Sequence, residues 1–174
     1  CKKQVDGYSG AKYKSFKSRK EAMEYLDSTK GACANDADEI TAYVDGSYNV
    51  ATGEYGAGVA FFSEQGEEHI SRKGEDKELA SMRNVAGEIL GSRLAMEKAV
   101  ALKQKKIYIY HDYQGIASWC LGEWKTNKEG TRQYKEYYDS VKDSIEIVFC
   151  KVKGHSGDTW NDLADELAKQ SVGN

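Results

Sequence analysis

Three acidic residues of the sequence stand where a carboxylate could do chemistry rather than simply face water: Asp45, Glu88 and Asp112. Asp45 and Asp112 each end a run typical of a β-strand, and ligands of α/β proteins collect where strands end. Glu88 lies at the edge of an apolar helical stripe, where a glutamate is rarely placed unless it is paired or binds a cation. Each also has an ordinary explanation, a turn cap for the aspartates and an edge side chain reaching solvent for the glutamate.

A fourth acid, Asp165, lies in a helical pattern near the C-terminal end of the sequence. Leu163 and Leu167 share one face of that helix, whereas Asp165 projects roughly opposite, alongside Asn161. A solvated helix face explains Asp165 when it is taken alone. Ten residues earlier, His155 lies in the glycine-flanked segment GHSG, as either a plain surface residue or a group that manages protons.

Considered together, the four acids indicate a metal site. Their oxygen atoms are hard ligands, which suit magnesium or manganese rather than zinc. Carboxylates gathered without a cation would repel one another and raise their own pKa values. Sites of this kind commonly cleave phosphodiesters with two divalent ions about 4 Å apart, so the sequence predicts metal-dependent phosphodiester hydrolysis.

The elements that would position these acids follow from the hydrophobic pattern. A long helix is predicted over residues 83–103, with an apolar stripe of Val85, Ile89, Met96 and Val100. The remaining predicted elements are, in chain order, the strands ITAYVDGS, YGAGVAFFS and EEHISRKG, then the strand KIYIYHD, the helical segments YQGIASWCLGEW and TRQYKEYYDSVK, the strand SIEIVFCKV and the helix TWNDLADELAKQS. This order predicts an α/β fold with a five-stranded mixed sheet, three antiparallel strands and then parallel ones, covered by helices on both faces.

Composition narrows the class of protein. The 174 residues are 40% hydrophobic and 30% charged, which is ordinary for a globular chain, and no run approaches the roughly 18 apolar residues of a membrane span. The four cysteines are scattered without zinc-site spacing, which favours unpaired thiols in a reducing cytosol and therefore a cytoplasmic location. Nothing points to a membrane or to a protein partner.

Charge divides the chain in two. Residues 1–30 hold eight Lys and Arg against four Asp and Glu, whereas the whole chain has a net charge of −3. A basic arm on an acidic body suggests that the arm touches polyanions. The small, polar segment TKGACANDADE predicts a linker over residues 29–39, between an N-terminal piece at 1–28 and a catalytic domain at 40–174.

Four segments, in this order, resemble the motifs of type 1 ribonuclease H: YVDGSY, NVAGEILG, YIYHDYQGI and VKGHSGDTWNDLADELA. The resemblance implies that Asp45, Glu88, Asp112 and Asp165 bind two Mg²⁺ ions, or Mn²⁺ in their place. It implies that His155 lies on a mobile loop and helps the product to leave. It also implies hydrolysis of the RNA strand of RNA–DNA hybrids, with 5′-phosphate and 3′-hydroxyl ends.

Hybrid recognition, on this resemblance, uses backbone groups around Gly46 and Ser47 and the side chain of Asn84. These groups would contact 2′-hydroxyls across the minor groove, which only RNA offers. Two residues depart from the family pattern: Tyr113 replaces a common Ser, and Val85 replaces a common Gln.

The N-terminal segment VDGYSGAKYKSFKSRKEAMEYL resembles the second half of the small hybrid-binding domain of cellular enzymes of this type. Tyr13, Lys14 and Phe16 would then lie on its nucleic-acid face; a generic basic amphipathic arm is the other interpretation. Trp119 and Trp124 are interpreted either as part of a substrate-handling region or, for Trp119, as core.

Two other functions remain open. A hybrid- or duplex-binding module that has lost catalysis would share these motifs, although the presence of all four acids argues against it. A transposase or integrase shares the fold, but such proteins usually lack the GHSG loop.

Overall fold

The computed structural model describes residues 39–154 and 158–174. Its elements are the strands β1 (Ile40–Asn49), β2 (Glu54–Ser63), β3 (Gly66–Lys73), β4 (Lys106–His111) and β5 (Glu146–Lys151), and the helices α1 (Lys77–Ala80), α2 (Asn84–Ala101), α3 (Gly115–Cys120), α4 (Glu129–Val141) and α5 (Thr159–Val172). The predicted N-terminal piece, with Tyr13, Lys14 and Phe16, and His155 lie outside the described residues.

The strands form one mixed sheet in the order β3-β2-β1-β4-β5. β1, β2 and β3 pair antiparallel, whereas β4 and β5 continue the sheet in parallel from β1. The predicted five-stranded mixed sheet is therefore confirmed. The turn between β2 and β3 is two residues long, and it ends at Gly66, whose φ of 110° suits glycine.

Helices cover both faces of the sheet, which glycines in the two central strands make plain. A Cβ on Gly46 of β1 would run into the backbone of α2, whereas one on Gly58 of β2 would run into α5. Gly58 pairs with Asp45, the neighbour of Gly46, and successive side chains of a strand point to opposite faces. α2 and α5 therefore pack on opposite sides of the sheet.

The face of α2 that meets the sheet consists of small residues at four-residue spacing: Gly87, Gly91, Ala95 and Ala99, all buried. These small side chains let the helix axis lie close to β1. The apolar stripe predicted for this helix is correct at Ile89 and Met96, which are buried, but wrong at Val100, which is 37% exposed. The buried side of the helix thus combines its small residues with Ile89 and Met96 and leaves out Val100.

Element boundaries differ modestly from the sequence prediction. The first strand does not end at Asp45 but continues to Asn49, because β2 pairs with it along that whole length. The single turn α1 was not predicted, since four residues show no periodicity. It begins after Asp76, whose carboxylate accepts hydrogen bonds from the backbone N–H groups of Glu78 and Leu79.

The cysteines are not all free thiols. Cys120 is free and buried, whereas Cys150 of β5 is disulfide-bonded. The expectation of unpaired thiols is therefore wrong for Cys150, and the cytoplasmic location stays a prediction. Within the described part of the chain, every helix is too short or too polar to cross a membrane.

Candidate active site

Asp45 and Asp112 meet where two central strands separate. β1 pairs with β4 from Ile40 only as far as Tyr43, opposite Tyr110, although it stays paired with β2 beyond that point. Asp45 lies two residues past the last β4 pair, and Asp112 directly follows the end of β4. Both side chains therefore enter the opening between the strands, which is where strand-end ligand sites form.

Glu88 reaches the same opening from the first turns of α2. A Cβ on Gly87 would lie 2.7 Å from the Cα of Gly46, and one on Gly46 would lie under 3.0 Å from the amide nitrogen of Glu88. Because neither glycine has a side chain, the backbones of β1 and α2 cross almost in contact. This crossing fixes Glu88 beside Asp45.

The three carboxylates form one cluster. Asp45, Glu88 and Asp112 each offer an oxygen, and these atoms all lie within 4.8 Å of one another. Among the residues described, no other group of three or more His, Cys, Asp or Glu side chains comes as close together. Asp45 and Glu88 are buried and Asp112 is half-buried, so water screens the repulsion between their charges only weakly.

The electrostatics of the cluster fit a divalent cation. Burial, and then the charge of Asp112, raises the pKa of Asp45 to about 6. Burial, followed by the charges of Asp45 and Asp112, raises the pKa of Glu88 well above its ordinary value. The buried Oε2 of Glu88 has no hydrogen-bond partner among the described residues. A carboxylate oxygen that accepts no hydrogen bond and lies among other carboxylates is well suited to bind a cation.

Asp165 lies beside this cluster rather than within it. It is half-buried on α5, and its Oδ2 accepts a hydrogen bond of 2.6 Å from the Nζ of Lys169, one turn further along the helix. Its charge still contributes to the raised pKa of Asp45, so the two acids are near neighbours. The structure thus brings three of the four predicted acids together and places the fourth next to them, paired with a lysine.

The helix that carries Asp165 is set by its ends and its buried face. Asp158 caps its start by accepting from the N–H groups of Trp160 and Asn161, and Gly173 ends it in the left-handed conformation. Asn161, predicted on a solvated face with Asp165, is instead buried. Asp165 therefore lies at the edge of the buried face.

Gly154, the last residue described before His155, lies against the cluster. A Cβ on Gly154 would lie 2.5 Å from a carboxylate oxygen of Asp112, so the backbone at Gly154 passes close to that side chain. His155 itself is outside the described residues, and its role stays a prediction.

The predicted nucleic-acid contacts are placed differently from one another. Asn84 is exposed at the first position of α2, whereas Gly46 is half-buried against that helix. Ser47 is buried, and its hydroxyl accepts a hydrogen bond of 3.2 Å from the side chain of Asn174. The exposed Asn84 is thus open to a ligand, while the buried Ser47 hydroxyl already accepts from Asn174.

A cavity of about 410 Å³, whose wall includes Tyr113, the residue after Asp112, was not predicted. Asn84 and Tyr113 contribute to its wall, together with Trp119, Lys125 and Lys128. The rings of Tyr113, Trp119 and Trp124 contact one another, with centroids 5.8 to 6.1 Å apart. Trp119 is buried, whereas Trp124 is 41% exposed. In the sequence, only the tryptophans indicated a substrate-handling region. The spacing of residues did not predict that Lys125 and Lys128, near the start of α4, would lie beside Trp119.

Arg83 is a second feature that the sequence did not reveal. It precedes α2 with a φ of 56°, a conformation that is uncommon for a residue with a side chain. Its guanidinium lies 6.0 Å from the centre of the Tyr48 ring. Arg83 and Asn84 both contribute to the wall of the cavity.

A mixed sheet with helices on both faces and an acidic, cation-fitting centre between its first and fourth strands defines an α/β protein of the metal-dependent nuclease class. The sequence profile described as RNase H matches residues 37–173, and one described as Ribonuclease H1 N-terminal domain matches residues 1–26. The chain therefore belongs to the type 1 ribonuclease H family and is a hydrolytic endoribonuclease.

Relatives support this assignment. The "Ribonuclease H" of Francisella tularensis subsp. novicida is 31% identical over 147 residues, covering 76% of this chain and 90% of the relative. The crystal structure of RNase H1 from Halobacterium salinarum is similar in fold, with a TM-score of 0.61 and 20% identity over 78% of this chain and 98% of that one. LC11-RNase H1, solved in complex with an RNA/DNA hybrid, gives a TM-score of 0.60 at 15% identity over 77% of this chain and 99% of its own.

Proposed function

We propose that the chain cleaves the RNA strand of RNA–DNA hybrids endonucleolytically, with two Mg²⁺ or Mn²⁺ ions, and leaves 5′-phosphate and 3′-hydroxyl ends. One observation carries the proposal: three carboxylates from three separate elements offer oxygens within 4.8 Å of one another, and one of them, Glu88, is 3% exposed. Packing that buries an unpaired acid among other acids is costly unless a cation neutralises them.

The residues that would hold the ions are Asp45, Glu88 and Asp112, with Asp165 as the fourth acid. A pair of divalent ions, when bound, lowers the pKa of the attacking water and stabilises the leaving oxygen. The chain contributes fixed negative charge in a buried setting, where electrostatic interactions are stronger than in water. Asp45 is oriented by the backbone N–H of Gly46, which donates to its Oδ1 at 2.7 Å.

Three features support a hybrid as substrate. LC11-RNase H1, which shares the fold, was solved with an RNA/DNA hybrid. In this chain the exposed Asn84 lines a cavity with Lys125 and Lys128, whose charges suit phosphates. Trp119 in the same wall, with the exposed Trp124 packed against it, offers aromatic surface for sugars or bases. Contacts of this kind carry no base information, so sequence specificity should be low.

The domain organisation is part of the proposal. Residues 1–28 would form a partial hybrid-binding domain that uses Tyr13, Lys14 and Phe16, residues 29–39 a linker, and residues 40–174 the catalytic domain. The match of residues 1–26 to a Ribonuclease H1 N-terminal domain supports this assignment. His155 would assist product release from the loop that begins at Gly154.

A cleavage assay tests the proposal. The full chain is incubated with an end-labelled RNA–DNA hybrid, with duplex RNA and with duplex DNA, in Mg²⁺ and in EDTA. We expect internal cuts in the RNA of the hybrid alone, only with Mg²⁺, and product ends that a 5′-phosphate-dependent exonuclease degrades.

The matched variant is Asp45→Asn, which keeps the shape and the hydrogen bond from Gly46 but removes a charge. It should lose more than about a thousandfold in cleavage rate while circular dichroism stays native. Hybrid binding by the wild type without cutting in Mg²⁺ would instead favour the binding-module alternative, and normal turnover by Asp45→Asn would refute the site.

A further inference from the structure

Lys169 stands out because its partner is the fourth acid of the proposed site. The pair has the ordinary form of a helix-surface salt bridge, with Asp165 four residues before Lys169 and an Nζ–Oδ2 distance of 2.6 Å. Such pairs usually stabilise a helix by about 0.3–0.5 kcal/mol. Stability alone gives little reason to place a lysine on an acid that a cation should bind.

The environment of Lys169 differs from that of an ordinary surface lysine. The Lys169 side chain is 48% exposed, so its ammonium can leave without a desolvation cost, whereas the Asp165 side chain is only 21% exposed. The Lys169 ammonium donates directly to the Asp165 carboxylate, and Asp165 lies near enough to Asp45 for their charges to interact. The ammonium therefore lies beside the acids that a divalent ion would bind.

The other lysine close to the cluster serves as a contrast. Lys151 donates to the main-chain carbonyl oxygens of Asp112 and Val152, at 2.7 and 3.3 Å, and so leaves the Asp112 carboxylate untouched by this contact. Lys169, by comparison, occupies a carboxylate oxygen itself. A carboxylate oxygen that accepts from an ammonium at 2.6 Å is a poorer ligand until that ammonium moves.

We propose that Lys169 is a positioning residue that acts through Asp165 as a displaceable internal counter-ion. Its ammonium neutralises Asp165 before a divalent ion binds, and it swings into solvent when Asp165 joins the site. Lys169 thereby weakens binding of the ion that needs Asp165, so that this ion enters and leaves at concentrations where the three-carboxylate cluster stays loaded. This inference rests on the proposed metal site and adds a control on its occupancy.

Direct metal binding tests the inference. Mn²⁺ binding to the full chain, without nucleic acid, is measured by calorimetry and by the electron paramagnetic resonance signal of free Mn²⁺. For Lys169→Gln we expect the weaker Mn²⁺ dissociation constant to fall by about tenfold at low ionic strength, because a unit charge a few ångströms away is removed. The effect should shrink in 0.5 M salt, since exposed charges are screened.

Three further variants separate this role from a general charge or structural effect. Lys169→Arg keeps the charge and should restore the wild-type constant. Lys142→Gln removes an equal charge from an exposed lysine at the end of α4, which pairs with Asp139 at 2.7 Å, and should change nothing. In an Asp165→Asn background, Lys169→Gln should lose most of its effect, because the partner through which it acts is gone.

The outcomes distinguish this inference from the proposed function. A wild type that binds Mn²⁺ and cleaves hybrids, with unchanged affinity in Lys169→Gln, overturns the role of Lys169 alone. An equal tightening in Lys142→Gln, or a full effect in the Asp165→Asn background, also overturns it. A wild type that neither binds Mn²⁺ nor cleaves overturns the proposed function as well.

Discussion

The two sides of the acidic site are built in different ways. On the β1–α2 side, Asp45 and Glu88 are held by backbones that cross at Gly46 and Gly87, and both carboxylates are buried. On the α5 side, Asp165 is half-buried and its observed partner is a side chain, the exposed Lys169. One side is therefore positioned by close packing, and the other by a surface ion pair that solvent and salt can alter.

The two sides differ in how they treat negative charge: one buries its carboxylates, and the other pairs its carboxylate with a lysine. Close backbone packing brings Glu88 beside Asp45. Burial is the main cause that raises the pKa of both carboxyls, and the charge of Asp112 raises both further. On the α5 side there is little uncompensated charge, because Asp165 already has Lys169 as its counter-ion. Mutations on the β1–α2 side should therefore change both the free energy of unfolding and the cleavage activity. Mutations on the α5 side should change the activity alone.

The largest effect should come from adding one carbon atom at the crossing. A Cβ on Gly87 would lie under 3.0 Å from the Gly56 carbonyl oxygen and 2.7 Å from the Gly46 Cα, and backbone cannot yield as a flexible side chain can. We expect Gly87→Ala to lower the free energy of unfolding by about 3 kcal/mol and to abolish cleavage. Urea denaturation followed by circular dichroism measures the first effect.

Gly91→Ala is the matched control, one turn further along the same helix. Its Cβ would meet the Cβ atoms of Val44 and Ala57 at 3.4 and 3.5 Å, which is ordinary contact. Alanine is also the better helix former, so this variant should be neutral or more stable by up to about 1 kcal/mol. Equal losses in the two variants would show that the crossing at Gly87 is not special.

The sequence predicted most of the fold because its patterns are local. Alternation identified the strands, and chain order with short connections fixed a mixed sheet. It failed where a long-range contact overrides local preference. Val100 fits a helical stripe but is exposed, since the helix approaches the sheet through the small residues Gly87, Gly91, Ala95 and Ala99. The first strand passes Asp45 because its pairing with β2 outlasts its pairing with β4.

The sequence predicted which acids form the site, but not that three of them cluster while the fourth, Asp165, pairs with a lysine. Asp45, Glu88 and Asp112 were predicted as a set with Asp165, and motif order supported all four equally. No sequence pattern tells that Asp165 pairs with Lys169 rather than joining the cluster, because acid–lysine pairs at this spacing occur on many helix surfaces. The cavity with Lys125 and Trp119 was likewise hidden, since it depends on how α3 and the segment after it fold back.

A smaller effect concerns the pH dependence of the metal-free protein. The native pKa of Asp45 is raised from 3.8 to about 6, so below pH 4 the group is protonated in both states and costs nothing. As pH rises through 6 the native carboxyl must ionise beside other acids, and stability is lost, by about 3 kcal/mol at most. In EDTA, the wild type should therefore lose stability from pH 4 to pH 7 relative to Asp45→Asn.

The comparison with Asp45→Asn cancels the contributions of titrating groups remote from the cluster, which both proteins share. It reports the titration of Asp45 together with its interactions with Glu88 and Asp112. At pH 7 the variant should be more stable than the wild type, although it is inactive. Saturating Mg²⁺ should reverse the order, because a ligand stabilises only the protein that binds it. Parallel stability curves for the two proteins in EDTA would mean that Asp45 is not under the strain inferred here.

The smallest effect should be that of Asp165→Asn on stability without metal. Two changes oppose each other: the pair with Lys169 is lost, at about 0.3–0.5 kcal/mol, and a charge that raises the pKa of Asp45 is removed. We expect a net change below about 0.5 kcal/mol in urea denaturation at pH 7. A loss comparable to that of Gly87→Ala would show that packing, not an ion pair, holds Asp165, and the two sides of the site would then be built alike.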